Sequence, residues 1–175
     1  MVDAGRTAIR DKCIEKAQSI IANGESMKEI ETGDWYRVQL EWQDDCPVII
    51  NKLSVDGVFV EDYKKWCADW LVNIQPIKPS QVTFKDLGMH GGVQCVYQTI
   101  SAGVPLVSTR GMVISYYHGD EHAEDYTFVI SSHGNEDLLK QEDMGSNVEA
   151  TLDVNYMHFA PMKDSCDEVC GTEIT

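Results

Sequence analysis

The densest set of groups able to bind a metal or move a proton is His118-Gly119-Asp120-Glu121-His122, with Glu124 and Asp125 just beyond it. Imidazoles and carboxylates this close could ligate zinc or a similar cation. The stretch lies between two apolar runs, however, where a chain reversal collects charge without any ligand, so a solvated hairpin tip is the simpler expectation. His133 beside Ser131 and Ser132 has the composition of a base with its nucleophile. Adjacent residues of a strand point to opposite faces, so only one of Ser132 and His133 can face a given cavity. Gly88 to Gly92, with His90, has the glycines of a phosphate loop but opens a strand, with no helix N-terminus behind it. No G-x-S-x-G, P-loop, dinucleotide fingerprint or H-E-x-x-H pattern occurs. The residues thus assign no catalytic group, no metal site and no cofactor.

Two further residue classes could carry chemistry. Of the six cysteines, Cys13, Cys46, Cys67, Cys95, Cys166 and Cys170, only the last two are close in sequence, and no second pair follows at zinc-finger spacing. Reduced, mostly buried thiols are expected. Trp66 and Trp70, one helical turn apart, could stack a planar ring, but a stripe at this spacing is read as core.

Composition narrows the partners. With 29 acidic residues against 14 basic ones, the 175-residue chain carries a net charge of -15. Affinity for a phosphate backbone comes from lysine and arginine displacing counterions, so nucleic acid is excluded as the expected partner, and an anionic lipid surface is disfavoured likewise. No run of about 18 apolar residues marks a transmembrane helix, and Met1-Val2-Asp3-Ala4-Gly5-Arg6 lacks the apolar core of a secretory signal. A cytoplasmic protein of one domain, residues 1 to 175, is expected.

The elements that position these residues follow from periodicity. Residues 3 to 23 form an amphipathic helix, capped by Asp3 and stopped at Asn23-Gly24, with Ile9, Cys13, Ala17, Ile20 and Ile21 on one stripe. A polar linker leads to a strand over Asp34 to Trp42, in which Trp35, Arg37, Gln39 and Glu41 alternate with Tyr36, Val38, Leu40 and Trp42. Asp44-Asp45 turn the chain into Val48 to Val55, which completes a hairpin. A helical segment opens at Glu61 and Asp62 and ends before Pro76. Val82 to Leu87 is a short strand. Val93 to Ile100, Gly111 to His118 and Asp125 to Ser132 form an antiparallel meander whose two faces are both partly apolar. After a polar loop from Gly134 to Ser146, Val148 to Ala160 reads as one strand interrupted at Pro161. Glu173-Ile174-Thr175 is expected to begin a last strand.

Gln94-Cys95-Val96-Tyr97, Val104-Pro105-Leu106-Val107-Ser108-Thr109-Arg110, Met112-Val113-Ile114 and Tyr126-Thr127-Phe128-Val129-Ile130-Ser131-Ser132 follow in the order and near the spacing of the START (steroidogenic acute regulatory protein-related lipid transfer) domain, which this chain resembles over residues 35 to 175. Trp66 and Trp70 fall where that family carries a tryptophan-containing segment, and Phe159-Ala160-Pro161-Met162 matches a hydrophobic-x-Pro-hydrophobic strand end. The resemblance implies an α+β helix-grip fold: a curved antiparallel sheet around a long C-terminal helix, holding one lipid or other hydrophobic molecule. It further implies that Cys95, Tyr97 and Thr99, with Met112, Ile114 and Tyr116, and with Tyr156, His158 and Ala160, point into the cavity. Arg110 matches a structural arginine.

Three departures from the family pattern stand beside the resemblance. Gly111 stands where the family usually has Asp. Tyr97 and Tyr116 stand where sterol-binding members hold an acid and an arginine. The chain ends at Thr175, where the family continues into its C-terminal helix, so the expectation is either that the sequence is a truncated product or that a partner chain, a second copy or the N-terminal helix covers the sheet. Besides ligand binding, the resemblance leaves two other readings: a protein-interaction subunit using the open sheet, and a cyclase or hydratase of the wider superfamily with His158 as general base.

Overall fold

A computed structural model describes residues 2–43, 46–104 and 107–175. The expected turn at Asp44-Asp45, and Pro105 and Leu106 of the motif above, lie outside the described residues. In chain order the elements are α1 (Ala4–Ala22), β1 (Lys28–Thr32), β2 (Tyr36–Gln43), β3 (Cys46–Asp56), α2 (Val60–Ala68), α3 (Trp70–Ile74), β4 (Val82–His90), β5 (Val93–Ile100), β6 (Arg110–His118), β7 (Tyr126–Ser131), α4 (Glu136–Leu139), β8 (Val148–Glu149), β9 (Asn155–Lys163) and β10 (Val169–Ile174). Among the described residues the strands form one ten-stranded sheet in the order β1-β2-β3-β10-β9-β7-β6-β5-β4, and β8 pairs with β6. β1–β2, β2–β3, β3–β10, β10–β9, β4–β5 and β5–β6 pair antiparallel, and β8 runs parallel to β6.

Local chemistry explains several element ends. Asp3 accepts the Arg6 backbone N–H at 2.8 Å, as an N-cap should. Asp62 accepts the Phe59 backbone N–H at 3.2 Å at the start of α2. Gly91 and Gly92, at φ +60° and +80°, supply the left-handed residues that the β4–β5 hairpin turn requires.

Four expectations are corrected. Lys28–Thr32 is a strand and not linker; all five residues are exposed, so its polar sequence hides a strand held by its β2 partner alone. A short helix, α4, lies within the expected loop. The expected strand over Val148 to Ala160 is two strands. Between them, Leu152 and Asp153 are tied to Ser131 and Ser132 by one backbone bond, from the Ser132 N–H to the Leu152 carbonyl at 2.9 Å, and otherwise by side-chain hydroxyls in place of further ladder bonds: Ser131 Oγ donates to the Asp153 carbonyl at 2.7 Å and Ser132 Oγ to that of Leu152 at 3.0 Å. Pro161 lies within β9 opposite Thr172, where it removes one donor without ending the strand.

Two compact units divide the chain. Unit 1 comprises residues 1–14, 70–117 and 129–155. In it the start of α1 is anchored to the meander by a polar network. The Arg6 guanidinium donates to Asn135 Oδ1 at 2.8 Å and to Ser115 Oγ at 3.2 Å, and Ser115 Oγ donates to Asn135 Oδ1 at 3.1 Å. Asn135 Nδ2 continues to the Val113 carbonyl at 3.3 Å. Ser115 and Asn135 are buried, so each hydrogen bond offsets a desolvation cost that neither residue could otherwise avoid. Gly111 has a packing reason: a Cβ there would lie 2.5 Å from the Tyr97 hydroxyl.

Unit 2 comprises residues 15–69, 118–128 and 156–175. Its pairings β1-β2-β3-β10-β9 carry α2 on one side. Lys64 of α2 is buried, with Nζ donating to Glu61 Oε1 at 2.7 Å and to the carbonyls of Glu121 and Ala123 at 2.9 and 2.8 Å. All three ammonium protons find acceptors, and α2 is thereby held to the tip that follows His118.

The Arg6 network yields a stability test. Arg6→Met keeps the apolar stem but leaves Ser115 and Asn135 short of a donor, and is expected to cost about 1–3 kcal/mol, read as a lowered urea midpoint with unchanged far-ultraviolet dichroism.

Candidate functional site

Register separates the nine residues expected to line a cavity. Cys95, Tyr97 and Thr99 lie opposite Ser115, Val113 and Gly111, whereas Met112, Ile114 and Tyr116 lie opposite Gln98, Val96 and Gln94. Directly opposed residues of an antiparallel pair project to the same side. The two sets therefore occupy opposite sides of unit 1, which corrects the expectation that they share one cavity. Each strand's alternation is legible by itself, but the phase between neighbours is not, and a one-residue shift exchanges the sides.

The first set is engaged within unit 1. Cys95 is fully buried, with Sγ 3.2 Å from Ser115 Oγ. Tyr97 accepts a hydrogen bond from Asn147 Nδ2 at 3.3 Å, and Thr99 Oγ1 meets Thr83 Oγ1 at 2.6 Å. The second set is buried, and Tyr116 packs on an aromatic ring: Trp70 lies 4.6 Å from Tyr116 and 5.4 Å, edge-on, from Phe84. Burial, with Asp86 and Cys95 nearby, pushes the Tyr116 hydroxyl well above its ordinary pKa, so it remains a neutral phenol.

The third set is in unit 2 and is half-buried. Ala160 lies opposite Glu173, and Glu173 opposite Ser54, on the side that carries the charges of β3 and β10. His158 Nε2 is 2.8 Å from Asp125 Oδ2. The other chemical candidates are also engaged locally. His118 Nδ1 meets the Tyr126 hydroxyl at 2.7 Å, Asp120 accepts the His122 backbone N–H at 2.9 Å, and His133 pairs with Asp153 at 2.7 Å. Burial lowers the His118 pKa, which favours the neutral imidazole.

The best-formed candidate surface lies elsewhere in unit 2. Across β2, β3, β10 and β9 the register aligns Tyr36, Leu53, Ile174 and Phe159, and beside them Leu40 faces Ile49. At the α2 end this side is covered: Tyr63 stacks on Phe159 at 4.6 Å, and the buried Thr172 donates to the Val58 carbonyl at 2.6 Å. At the β2–β3 end it is open. Val38, Leu40 and Leu53 are only half-buried, and Ile49 and Trp42 are 56% and 65% exposed.

The opposite side of the same hairpin is closed over a polar residue. Gln39 is 2% exposed and its amide donates to the Gly24 carbonyl at 2.6 Å, with Ile50 buried beside it. Burying a glutamine while leaving leucine and isoleucine accessible inverts the usual preference. Fully covering a side chain of this size contributes about 1.5–3 kcal/mol, so the open side is one that gains from an occupant.

Charge follows the same division. Arg37, Glu41, Lys52, Asp56 and Glu173 all lie on the Gln39 side, and β2, β3 and β10 place no lysine, arginine, histidine or carboxylate on the Leu40 side. At the strand ends a groove of about 280 Å³ joins the two sides, with Tyr36, Leu53 and Ile174 on its apolar wall and Arg37, Lys52 and Glu173 on its charged one. Sequence reasoning recorded the alternation of Tyr36, Val38, Leu40 and Trp42 but assigned no function to it. The signal was present; what was hidden is which side the chain covers.

Comparison with known proteins bears on the fold. No protein-family model and no curated protein matches the sequence. Among solved structures, the chain is similar to the human StAR-related lipid transfer protein 5, with a TM-score of 0.62 and 11% identity over 97% of this chain and 81% of that one. It is also similar to a fragment of the STAR-related lipid transfer protein from Xanthomonas axonopodis, with a TM-score of 0.56 and 14% identity over 85% of this chain and 80% of that one. At these identities the likeness is one of fold, and the chain has a START-like, α+β helix-grip fold. Among the described residues, no helix is long and apolar enough to cross a membrane.

The His158 pair is open to a pH test. Its hydrogen bond holds the Asp125 carboxyl below the ordinary value of 3.8. A depressed carboxylate contributes stability that is present above its unfolded value and lost as pH falls through the folded one. His158→Ala is expected to flatten the stability–pH curve below 3.8, measured by urea unfolding at stepped pH. An acid limb as steep as that of the unaltered chain would refute the pairing.

Proposed function

We propose that this chain binds a lipid or other small hydrophobic molecule on the Leu40 side of β2 and β3. The observation that carries the reading is the inversion at the hairpin, where Gln39 is buried and Ile49 and Trp42 are exposed. The fold supports it, since the two solved structures it resembles are named lipid transfer proteins. Affinity arises from apolar burial at about 25 cal/mol per Å². No catalytic step is invoked in this reading. We place the protein in the cytoplasm, a setting in which its six free cysteines stay reduced.

A second reading, a protein-interaction subunit, is favoured by the same exposure of Trp42 and Ile49, because an accessible apolar patch can equally take a partner chain. Native mass spectrometry followed by solvent extraction separates the two. A monomer carrying one hydrophobic molecule is the expected result, and Leu40→Lys with Ile49→Lys is expected to lower occupancy at least about tenfold without unfolding the chain, both positions being accessible. An empty oligomer whose mass grows with concentration would overturn ligand binding in favour of association.

A further inference from the structure

The polar groups around the open side restrict the kind of molecule it can take. Among the described residues, the one strongly polar side chain within the apolar rows of β2 and β3 is Asn51, exposed and opposite Val38. Its carboxamide offers a neutral donor and a neutral acceptor and no charge. At the rim, the edge strand adds Lys28 opposite Leu40 and Glu31 opposite Val38, which balance, and Glu31 also accepts a hydrogen bond from the Tyr36 hydroxyl at 2.8 Å. An anionic headgroup drawn onto this side would lose hydration without gaining a counter-ion from β2, β3 or β10. Held out in the water instead, it would face a chain of net charge -15.

We infer that the molecule taken by this side is uncharged: a long-chain alcohol, a monoacylglycerol or a comparable lipid with one neutral hydrogen-bonding group, in place of a fatty-acid anion or an anionic phospholipid. The inference rests on the binding reading above. Asn51 hydrogen-bonds the neutral group, and the rows through Leu40 and Leu53 take the hydrocarbon.

The delipidated protein is equilibrated with equimolar oleyl alcohol and oleate, which share one hydrocarbon chain, at about pH 8, where the fatty acid is ionised. It is then repurified, and the retained compounds are quantified by mass spectrometry. The alcohol is expected in roughly tenfold excess or more, the scale on which an unmatched polar group is rejected. Asn51→Lys, which supplies the missing cation at an exposed position, is expected to shift the ratio toward oleate by about tenfold. Oleate retained as well as the alcohol by the unaltered chain would overturn this inference and leave the binding reading standing. Retention of neither would overturn both. A ratio unchanged in a folded Asn51→Lys protein would overturn the role of Asn51.

Discussion

The alternation of a β-strand is the constraint on which this molecule turns. Residue by residue, side chains go to opposite sides of the sheet, and the pairing of Leu40 with Ile49 then determines everything else about the β2–β3 hairpin. It sends Gln39 and Ile50 together beneath Gly24, and it sends Val38, Leu40 and Trp42 together to the other side. Shifted by one residue, the same two sequences would face each other with charge against hydrocarbon. The matches of Tyr36 to Leu53 and of Leu40 to Ile49 gather hydrocarbon on one side, and the match of Arg37 to Lys52 puts both cations on the other.

Much of the fold is written locally. Asp3 capping α1, the glycines of the β4–β5 turn and the apolar runs of the meander depend on near neighbours, and the sequence displays them. Lys28–Thr32 does not, because a strand held by one partner and covered by nothing needs no apolar residue. The break before β9 was likewise hidden, since hydroxyls of Ser131 and Ser132 some twenty positions away stand in for further ladder bonds. The candidate site failed in reading for a related reason. Cys95 and Met112 each lie on an apolar-looking face, but which faces coincide depends on inter-strand phase, a long-range property that neither strand carries alone.

The buried polar groups illustrate how specificity is distributed. Gln39, Ser115 and Asn135 each sit where a hydrophobic residue would bury more favourably, and each is satisfied by a named partner. Such groups add little net stability, but they admit few alternative arrangements: Arg6 has its acceptors only when α1 starts where it does, and Gln39 reaches the Gly24 carbonyl only in the observed register. Apolar contacts tolerate sliding; these do not.

The two outer strands of the sheet have a consequence for how the protein behaves in company. A chain with an accessible apolar side risks stacking into fibres if its free strand edges are also flat and uncharged. Here β1 is a short run bearing Lys28, Glu29 and Glu31 with a register shift between Glu29 and Glu31, and β4 is displaced by another between Asp86 and Gly88. Neither rim offers an unbroken template for a neighbour's backbone. The molecule can therefore leave hydrocarbon open to solvent and still be crowded against copies of itself without polymerising, and that separation of stickiness from templating is what lets an uncovered face persist.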